Sequence, residues 1–289
     1  MNVRIEKSKD LKELAYFLSE MNGQKKSHIG FCGKKPKDIQ KSLEEDFTSD
    51  DDVTFYEARN SDGKIVAAMG LDIDDVSAEV WGPFNQTKNF DMQYKLWKKL
   101  LNTYPTVKNF TFFINKENKR QQTFMSDIGA KNTGEHLDLT IKKKDFDMIG
   151  EIKSVPFPSN DFQKFEKLHD TIFPNTYYNA KIIRERLNEE GNVLKLLKNA
   201  SNEIQGYAYY EVDLEMKEAS LEYIGISDTF QNKGFGTMLL KEVLTEMFSY
   251  SQINEIALNV DNTNKQANHV YMKAGFKPTD VLISYLFEL

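Results

Sequence analysis

The chain has 289 residues, of which 40% are hydrophobic and 28% are charged, and its formal net charge is −6. This length predicts about two domains of roughly 150 residues, each with enough apolar side chains for a core. Because Lys and Arg are not in excess over Asp and Glu, we expect no nucleic-acid partner.

The single cysteine, Cys32, excludes an intramolecular disulfide and lacks the companions of a Cys-rich zinc site, so we expect no metal. No apolar run approaches the roughly 20 residues of a membrane-spanning helix, and the first residues show no signal-peptide pattern. We therefore expect a cytoplasmic protein without a membrane partner. The sequence does not indicate an oligomeric state.

Each half of the chain contains a predicted β-hairpin. In the first half, two β-prone runs flank the turn Asn60–Gly63, which ends in Asp-Gly. In the second half, similar runs flank the turn Asn199–Asn202. Between the two halves, residues 142–150 are polar and then irregular, which is typical of a short linker.

A turn in the second half predicts an anion site. The β-prone segment Leu221–Ile226 leads to the turn Gln231–Gly236, and a helical pattern follows from Thr237 to Leu244. A glycine-bearing turn that opens a helix presents free backbone N–H groups, and the helix dipole adds partial positive charge. The turn therefore predicts a ligand that carries phosphate.

Three phosphate-binding signatures compete for this turn. The chain lacks the Gly-x-x-x-x-Gly-Lys-Ser/Thr loop, and Leu239 stands where the dinucleotide fingerprint needs its third glycine. Gln231, Gly234 and Gly236 instead fit the pattern Gln/Arg-x-x-Gly-x-Gly/Ala. This pattern resembles the coenzyme A turn of the GNAT superfamily of acyl-CoA-dependent N-acyltransferases.

A second motif supports the resemblance. Asn264, Ala267, Tyr271, Gly275 and Phe276 fill the family pattern Asn-x-x-Ala-x-x-x-Tyr-x-x-x-Gly-Phe. The two motifs occur in the family's order and are separated by an apolar strand. Their joint occurrence is much more specific than either motif alone.

The resemblance implies an α/β (α+β) fold of two tandem GNAT-like domains. Each would have a mixed, mostly antiparallel sheet flanked by helices, with a splayed strand pair. It also implies acetyl-CoA as co-substrate, with its pyrophosphate on the turn and its pantetheine arm along the preceding strand. The residues implied to bind it are Ile224, Ile226, Gln231, Asn232, Lys233, Gly234, Phe235, Gly236, Thr237 and Asn264.

Two residues are candidates for catalysis. The resemblance implies that Tyr271 protonates the departing sulfur, and an ordinary tyrosine pKa of about 10 keeps it protonated at neutral pH. Glu222 alternates with Ile224 and Ile226 on one strand face, which makes it the candidate base for the amine proton. Two plainer interpretations stay open: Tyr271 as a core aromatic, and Glu222 as a solvated or salt-bridged carboxylate.

The two halves also resemble each other. An offset of 146 residues places Asn264 on Asn118 and Gly275 on Gly129. The same offset puts Met125 under Tyr271, and Asn85, Lys88 and Phe90 under Gln231, Gly234 and Gly236. We therefore interpret residues 1–146 as a degenerate GNAT-like domain and residues 147–289 as the catalytic domain that binds acetyl-CoA. Two unrelated α/β domains are the alternative.

The leading hypothesis is an N-acyltransferase that moves acetyl from acetyl-CoA to a primary amine of a small molecule or peptide by direct attack. The alternative is an acyl-CoA-binding regulatory or scaffold protein without turnover. A hydrolase is disfavoured because the chain has no Gly-x-Ser-x-Gly motif. The sequence identifies neither the amine acceptor nor the length of the acyl chain.

Overall fold

The computed structural model describes residues 3–49 and 52–289, and these residues form two compact units. The first unit contains the described residues up to Leu137 together with Asp280–Leu289. The second unit is Asp138–Thr279. Two long strands therefore begin in one unit and end in the other.

The first unit starts with a strand and two helices, continues with a hairpin, and then alternates strands and helices. Its elements in chain order are β1 (Arg4–Lys7), α1 (Leu11–Asn22), α2 (Pro36–Glu45), β2 (Thr48–Ser49), β3 (Asp52–Val53), β4 (Phe55–Arg59), β5 (Ile65–Asp74), β6 (Ser77–Asn85), α3 (Asp91–Thr103), β7 (Asn109–Asn115), α4 (Lys119–Ile128) and the start of β8 (Lys131–Lys142).

The second unit repeats this order of elements. After the end of β8 they are β9 (Val155–Pro156), α5 (Phe162–Ile172), α6 (Ala180–Arg186), β10 (Asn192–Lys198), β11 (Ile204–Asp213), β12 (Glu218–Ile226), α7 (Phe235–Ser249), β13 (Glu255–Asp261), α8 (Lys265–Ala274) and the start of β14 (Lys277–Glu288).

Both hairpins predicted from the sequence are confirmed. β4 pairs with β5, and β10 pairs with β11, in each case as antiparallel neighbours. Each turn is held by an asparagine side chain at its start, because the Oδ1 atoms of Asn60 and Asn199 accept backbone N–H bonds from residues further along the turn.

In the first unit, the strand order is β1, β4, β5, β6, β7, β14. All neighbouring strands are antiparallel except β6 and β7, which run parallel and pair only from Ser77 to Glu79 of β6. Beyond Glu79 the two strands splay apart. The core under this sheet is rich in aromatic residues, with Trp97 of α3 between Phe110 and Phe124.

In the second unit, β9, β10, β11 and β12 form an antiparallel sheet with β12 at one end. Successive side chains of β11 point to opposite faces. Tyr207 packs on Phe165 of α5, whereas the hydroxyl of Tyr210 donates to Glu246 of α7. Helices thus cover both faces of this sheet. The mixed α/β architecture with splayed strands is the one that the sequence predicts.

The last strand belongs mainly to the first unit. Residues 282–288 of β14 pair with residues 109–115 of β7 in a continuous antiparallel ladder. Next to this ladder, Asn115 Nδ2 donates to Asp280 Oδ1 at 2.6 Å, and Lys25 Nζ lies 2.9 Å from the same carboxylate. The division of the chain at residue 146 stays a prediction about domain organisation, but the compact units begin and end elsewhere.

Candidate functional site

A gap opens beside β12 where the predicted site residues converge. β12 ends its own sheet, and β13, which lies close to it, belongs to a different sheet. The space between β12 and β13 forms a cavity of about 330 Å³. A cavity of about 420 Å³ elsewhere in this unit is lined by none of the predicted site residues. We call the cavity between β12 and β13 the gap cavity.

The backbone of β12 turns polar groups toward the gap. Ser227 N donates to Gln205 O, so in the alternation of an antiparallel ladder the next position, Ile226 opposite Gly206, does not bond to β11. The amide groups of Ile226 and of Ile224, two residues earlier, therefore point away from β11 and into the gap. This is the geometry in which an extended ligand can add to the strand edge.

Glu222 occupies a β-bulge in β12. Tyr223 lies opposite Tyr209 and Leu221 lies opposite Tyr210, so Glu222 has no partner residue on β11. A bulge of this kind redirects a side chain at the rim of a site. The half-buried carboxylate of Glu222 lines the gap cavity together with Ile224 and Ile226, as the strand alternation predicts.

The turn after β12 forms a second, adjoining cavity of about 520 Å³, which we call the turn cavity. Asn232 has a φ of 60° and Gly234 has a φ of 84°, both in the left-handed region. Left-handed residues within a turn point successive backbone N–H groups toward a common centre. Such a centre favours the binding of an anion. Gly234 is the N-cap of α7, so the helix dipole reinforces this preference.

Two side chains hold the turn in this shape. Gln231 Nε2 donates to Ile226 O at 3.0 Å and to Asp228 Oδ1 at 2.9 Å. Lys233 Nζ donates to Thr229 O at 2.8 Å and lies over the ring of Phe230. Lys233 is thus folded back on its own turn rather than directed into a cavity.

The residues that the sequence predicts as cofactor-binding or catalytic therefore do not all reach a cavity. All of them except Lys233 and Phe235 line at least one of the two cavities. Asn232, Gly234 and Thr237 line the turn cavity, and Ile226, Gln231 and Gly236 line both. The gap cavity is completed by Glu222, Ile224, Asn264 and Tyr271.

Helix α8 carries Asn264 and Tyr271 to the gap cavity. Asn264 is its N-cap, with Oδ1 accepting from Ala267 N at 3.0 Å, which leaves its Nδ2 group for other partners. Tyr271 follows two turns later, with its ring 5.7 Å from that of Phe276. Burial raises the pKa of Tyr271 to about 12, so its hydroxyl is a proton donor at any ordinary pH.

Sequence reasoning missed a basic stripe on the same helix. Lys265, His269 and Lys273 line the turn cavity, and their spacing of four residues places them on one face of α8. That spacing is readable from the sequence, and His269 is its middle member. It is exposed, and it also borders the cavity.

The corresponding turn of the first unit is closed by an arginine. Arg120 Nη1 donates to Asn85 O at 2.9 Å and to Thr87 O at 2.6 Å, and Nη2 donates to Asn89 O at 3.2 Å. Its guanidinium also lies 4.4 Å from the centre of the Phe90 ring. This turn presents carbonyl groups to a cation, whereas the turn in the second unit presents N–H groups.

Among the residues that the structure describes, no group of His, Cys, Asp or Glu side chains is arranged to hold a metal ion. Within the same ranges, no helix is both long and apolar enough to span a membrane.

Comparison with known proteins points to one family. Residues 151–276 match the model of the acetyltransferase (GNAT) family. No curated protein matches the sequence significantly.

Solved structures share the fold of nearly the whole chain. A GCN5-related N-acetyltransferase from Sphaerobacter thermophilus is 13% identical with a TM-score of 0.76, covering 99% of this chain and 95% of that chain. A tandem GNAT protein from the clavulanic acid biosynthesis pathway is 12% identical with a TM-score of 0.64, covering 99% and 98%. A GNAT-family acetyltransferase from Colwellia psychrerythraea is 12% identical with a TM-score of 0.56, covering 99% and 100%. At these identities the similarity shows the fold alone.

Proposed function

Residues 151–276 form a domain of the GNAT acetyltransferase family, and from this premise we propose that the chain transfers acetyl from acetyl-CoA to a primary amine by direct attack. The charge pattern of the two adjoining cavities carries the proposal. The turn cavity is lined by Lys265 and Lys273, whereas the gap cavity is lined by Glu222 and Tyr271. A molecule with phosphates at one end and a reactive acyl group at the other matches this pattern.

The cofactor-binding residues act mainly through the backbone. The N–H groups of the turn around Asn232 and Gly234 bind the pyrophosphate, while Gln231 keeps the turn in shape. The pantetheine arm lies along the free edge of β12, and the amide of Ile226 polarises the thioester carbonyl. Asn264 contributes Nδ2 to the arm, because its Oδ1 already caps α8.

The transfer needs two proton movements. The neutral amine nitrogen attacks the thioester carbon, and Glu222 takes the proton that the nitrogen loses, directly or through a water molecule. The carbon–sulfur bond then breaks, and Tyr271 gives its proton to the departing thiolate. The proton held by Glu222 returns to the tyrosinate through solvent, so that the products are an amide and coenzyme A with a free thiol.

We place a single active site in the domain of residues 147–289. The turn around Asn85 and Asn89 supports this, because its carbonyl oxygens already bind the Arg120 guanidinium and would repel a pyrophosphate. Calorimetry should therefore give one acetyl-CoA bound per chain. A stoichiometry of two would contradict the proposal that residues 1–146 are degenerate.

The main test is binding of acetyl-CoA to the full chain, measured by calorimetry. Gly234→Glu should weaken binding by at least about 100-fold, because a carboxylate would face the phosphates. Gly63→Glu is the matched control: Gly63 also has a positive φ (78°), and a Cβ there also meets nothing within 4 Å, but it lies in the hairpin turn of the first unit.

Three outcomes are informative. Failure of the wild-type chain to bind acetyl-CoA at millimolar concentration would overturn the proposal. Equal weakening by both glycine variants would show strain rather than loss of a phosphate site. Tight binding without thiol release over a broad panel of amines would favour an acyl-CoA-binding regulator.

A further inference from the structure

One wall of the gap cavity comes from outside the elements that would bind the cofactor. Ile172 and Phe173, at the end of α5, line it together with residues of β12 and α8. The ring of Phe173 lies 5.2 Å from that of Tyr223, at an interplanar angle of 68°. The proposed cofactor site uses the backbone edge of β12 together with α7 and α8, so the rings of Phe173 and Tyr223, which we call the aromatic wall, are left for the acceptor.

The wall is held rigid by hydrogen bonds behind it. The Tyr223 hydroxyl lies 2.7 Å from Thr176 Oγ1 and accepts a bond of 3.1 Å from Tyr178 N. His169 Nε2 donates to Tyr178 O at 2.8 Å, and its Nδ1 accepts from the Tyr207 hydroxyl at 2.6 Å. Because the hydroxyl of Tyr223 is already bonded, this residue presents its ring to the cavity.

The charges that line the gap cavity also restrict which acceptor it can bind. Among the described residues that line the gap cavity, Glu222 is the one with a formal charge. The lysines Lys265 and Lys273 border the turn cavity instead. The acceptor side thus offers a carboxylate for an ammonium group and offers no cation for a carboxylate or phosphate.

We propose that the acceptor is a primary amine attached to an apolar aromatic body and lacking a carboxylate or phosphate, that is, an arylalkylamine. This inference rests on the proposed acetyl transfer and specifies its substrate class. The ammonium group approaches Glu222, loses a proton there and attacks the thioester, while the aromatic body packs on Phe173 and Tyr223. An amino acid with the same side chain would bring an unpaired carboxylate next to Glu222.

The test compares amines that differ in one feature, using the full chain saturated with coenzyme A. Calorimetry measures binding of 2-phenylethylamine, phenylalanine and spermidine to this complex, and thiol release with acetyl-CoA follows for each. We expect 2-phenylethylamine to bind at least ten times more tightly than the other two and to have the highest kcat/KM. Tighter binding or faster turnover of phenylalanine or spermidine would overturn the inference.

Two variants separate the aromatic wall from general damage. Phe173→Ala should raise KM for 2-phenylethylamine about ten-fold, since one buried aromatic contact is lost, while acetyl-CoA binding is retained. Tyr177→Ala is the control, because this neighbouring ring is 84% exposed and does not line the cavity. Equal effects of the two substitutions would contradict the assignment of Phe173. Failure to bind acetyl-CoA, by contrast, would refute the proposed function itself.

Discussion

Tyr271 is half-buried and lines the gap cavity, which suits a proton donor. Because burial raises the pKa of Tyr271 to about 12, the group stays protonated until it meets a thiolate. In Tyr271→Phe the ring packing is preserved and only the proton is lost. We expect the affinity for acetyl-CoA to be retained and kcat to fall by about 100-fold, measured by thiol release.

Tyr177→Phe serves as the comparison for this change. It removes a tyrosine hydroxyl from an exposed ring of the same unit, so kcat should be retained. A Tyr271→Phe enzyme that turns over at the wild-type rate would show that another group, or water, protonates the sulfur.

At the scale of single residues, the sequence predicted positions better than contacts. The two motifs located Gly234, Asn264 and Tyr271 because each follows a fixed spacing along the chain. The orientation of Lys233 toward Thr229 O was not predictable, since it depends on the left-handed turn at Asn232. The bulge at Glu222 was not predictable either, because a bulge is defined by the register with the partner strand, here β11.

At the scale of elements, the turn before α7 depends on two glycines with different roles. Gly234 has a φ of 84°, whereas Gly236 lies in the first turn of α7 with an ordinary backbone. A Cβ at Gly236 would lie 3.6 Å from Ile226 Cγ1, which is a normal contact.

The two glycine-to-alanine substitutions should therefore have opposite effects on stability. Gly234→Ala should lower the free energy of unfolding by about 1 kcal/mol, because alanine is strained in the left-handed region. Gly236→Ala should raise it by up to about 1 kcal/mol, because alanine favours the helix. Urea unfolding measures both values, and a loss of stability for Gly236→Ala equal to that for Gly234→Ala would contradict the assigned roles.

The sequence predicted those elements whose start and end are set by residues close together in the chain. Helix α8 begins at a capping Asn264 and ends at Gly275, whose φ of 113° stops the helix, and both signals are short-range. The closure of the first unit's turn by Arg120 had no such signal. It joins α4 to a loop about 30 residues earlier in the chain, a contact that no local pattern encodes.

At the scale of the whole molecule, the last strand determines the integrity of the first unit. β14 pairs with β7 through residues 282–288, and Tyr285 lies opposite Phe112. Lys116 N donates to Val281 O at one end of the ladder and Leu289 N donates to Lys108 O at the other, so the alternation makes Tyr285 and Phe112 a hydrogen-bonded pair. Tyr285→Pro would therefore remove a backbone donor from this ladder. Hydrogen exchange should then show loss of protection in β7, while the amides of β10 and β11 keep theirs.

Ser220→Pro is the reciprocal variant. Ser220 lies in β12 opposite Glu211 of β11, so this proline should loosen the second unit and leave β7 protected. If Tyr285→Pro instead lowered protection mainly in β10 and β11, the assignment of the last strand to the first unit would be wrong.

The sequence could not place this last strand. The pattern of residues 277–288 indicates a strand, but the partner of a strand is decided by contacts that are distant along the chain. The repeat in the sequence therefore predicted two similar sets of elements correctly, without predicting which set the final strand would complete.

The position of β14 has a consequence for synthesis. Translation proceeds from the N-terminus, and domains generally fold as they emerge from the ribosome. Here residues 280–289 are made after Asp138–Thr279 and supply the strand that covers the edge of β7, so the first unit keeps that edge open while all of Asp138–Thr279 is being made. The first unit therefore completes its sheet only after the whole second unit has been synthesised.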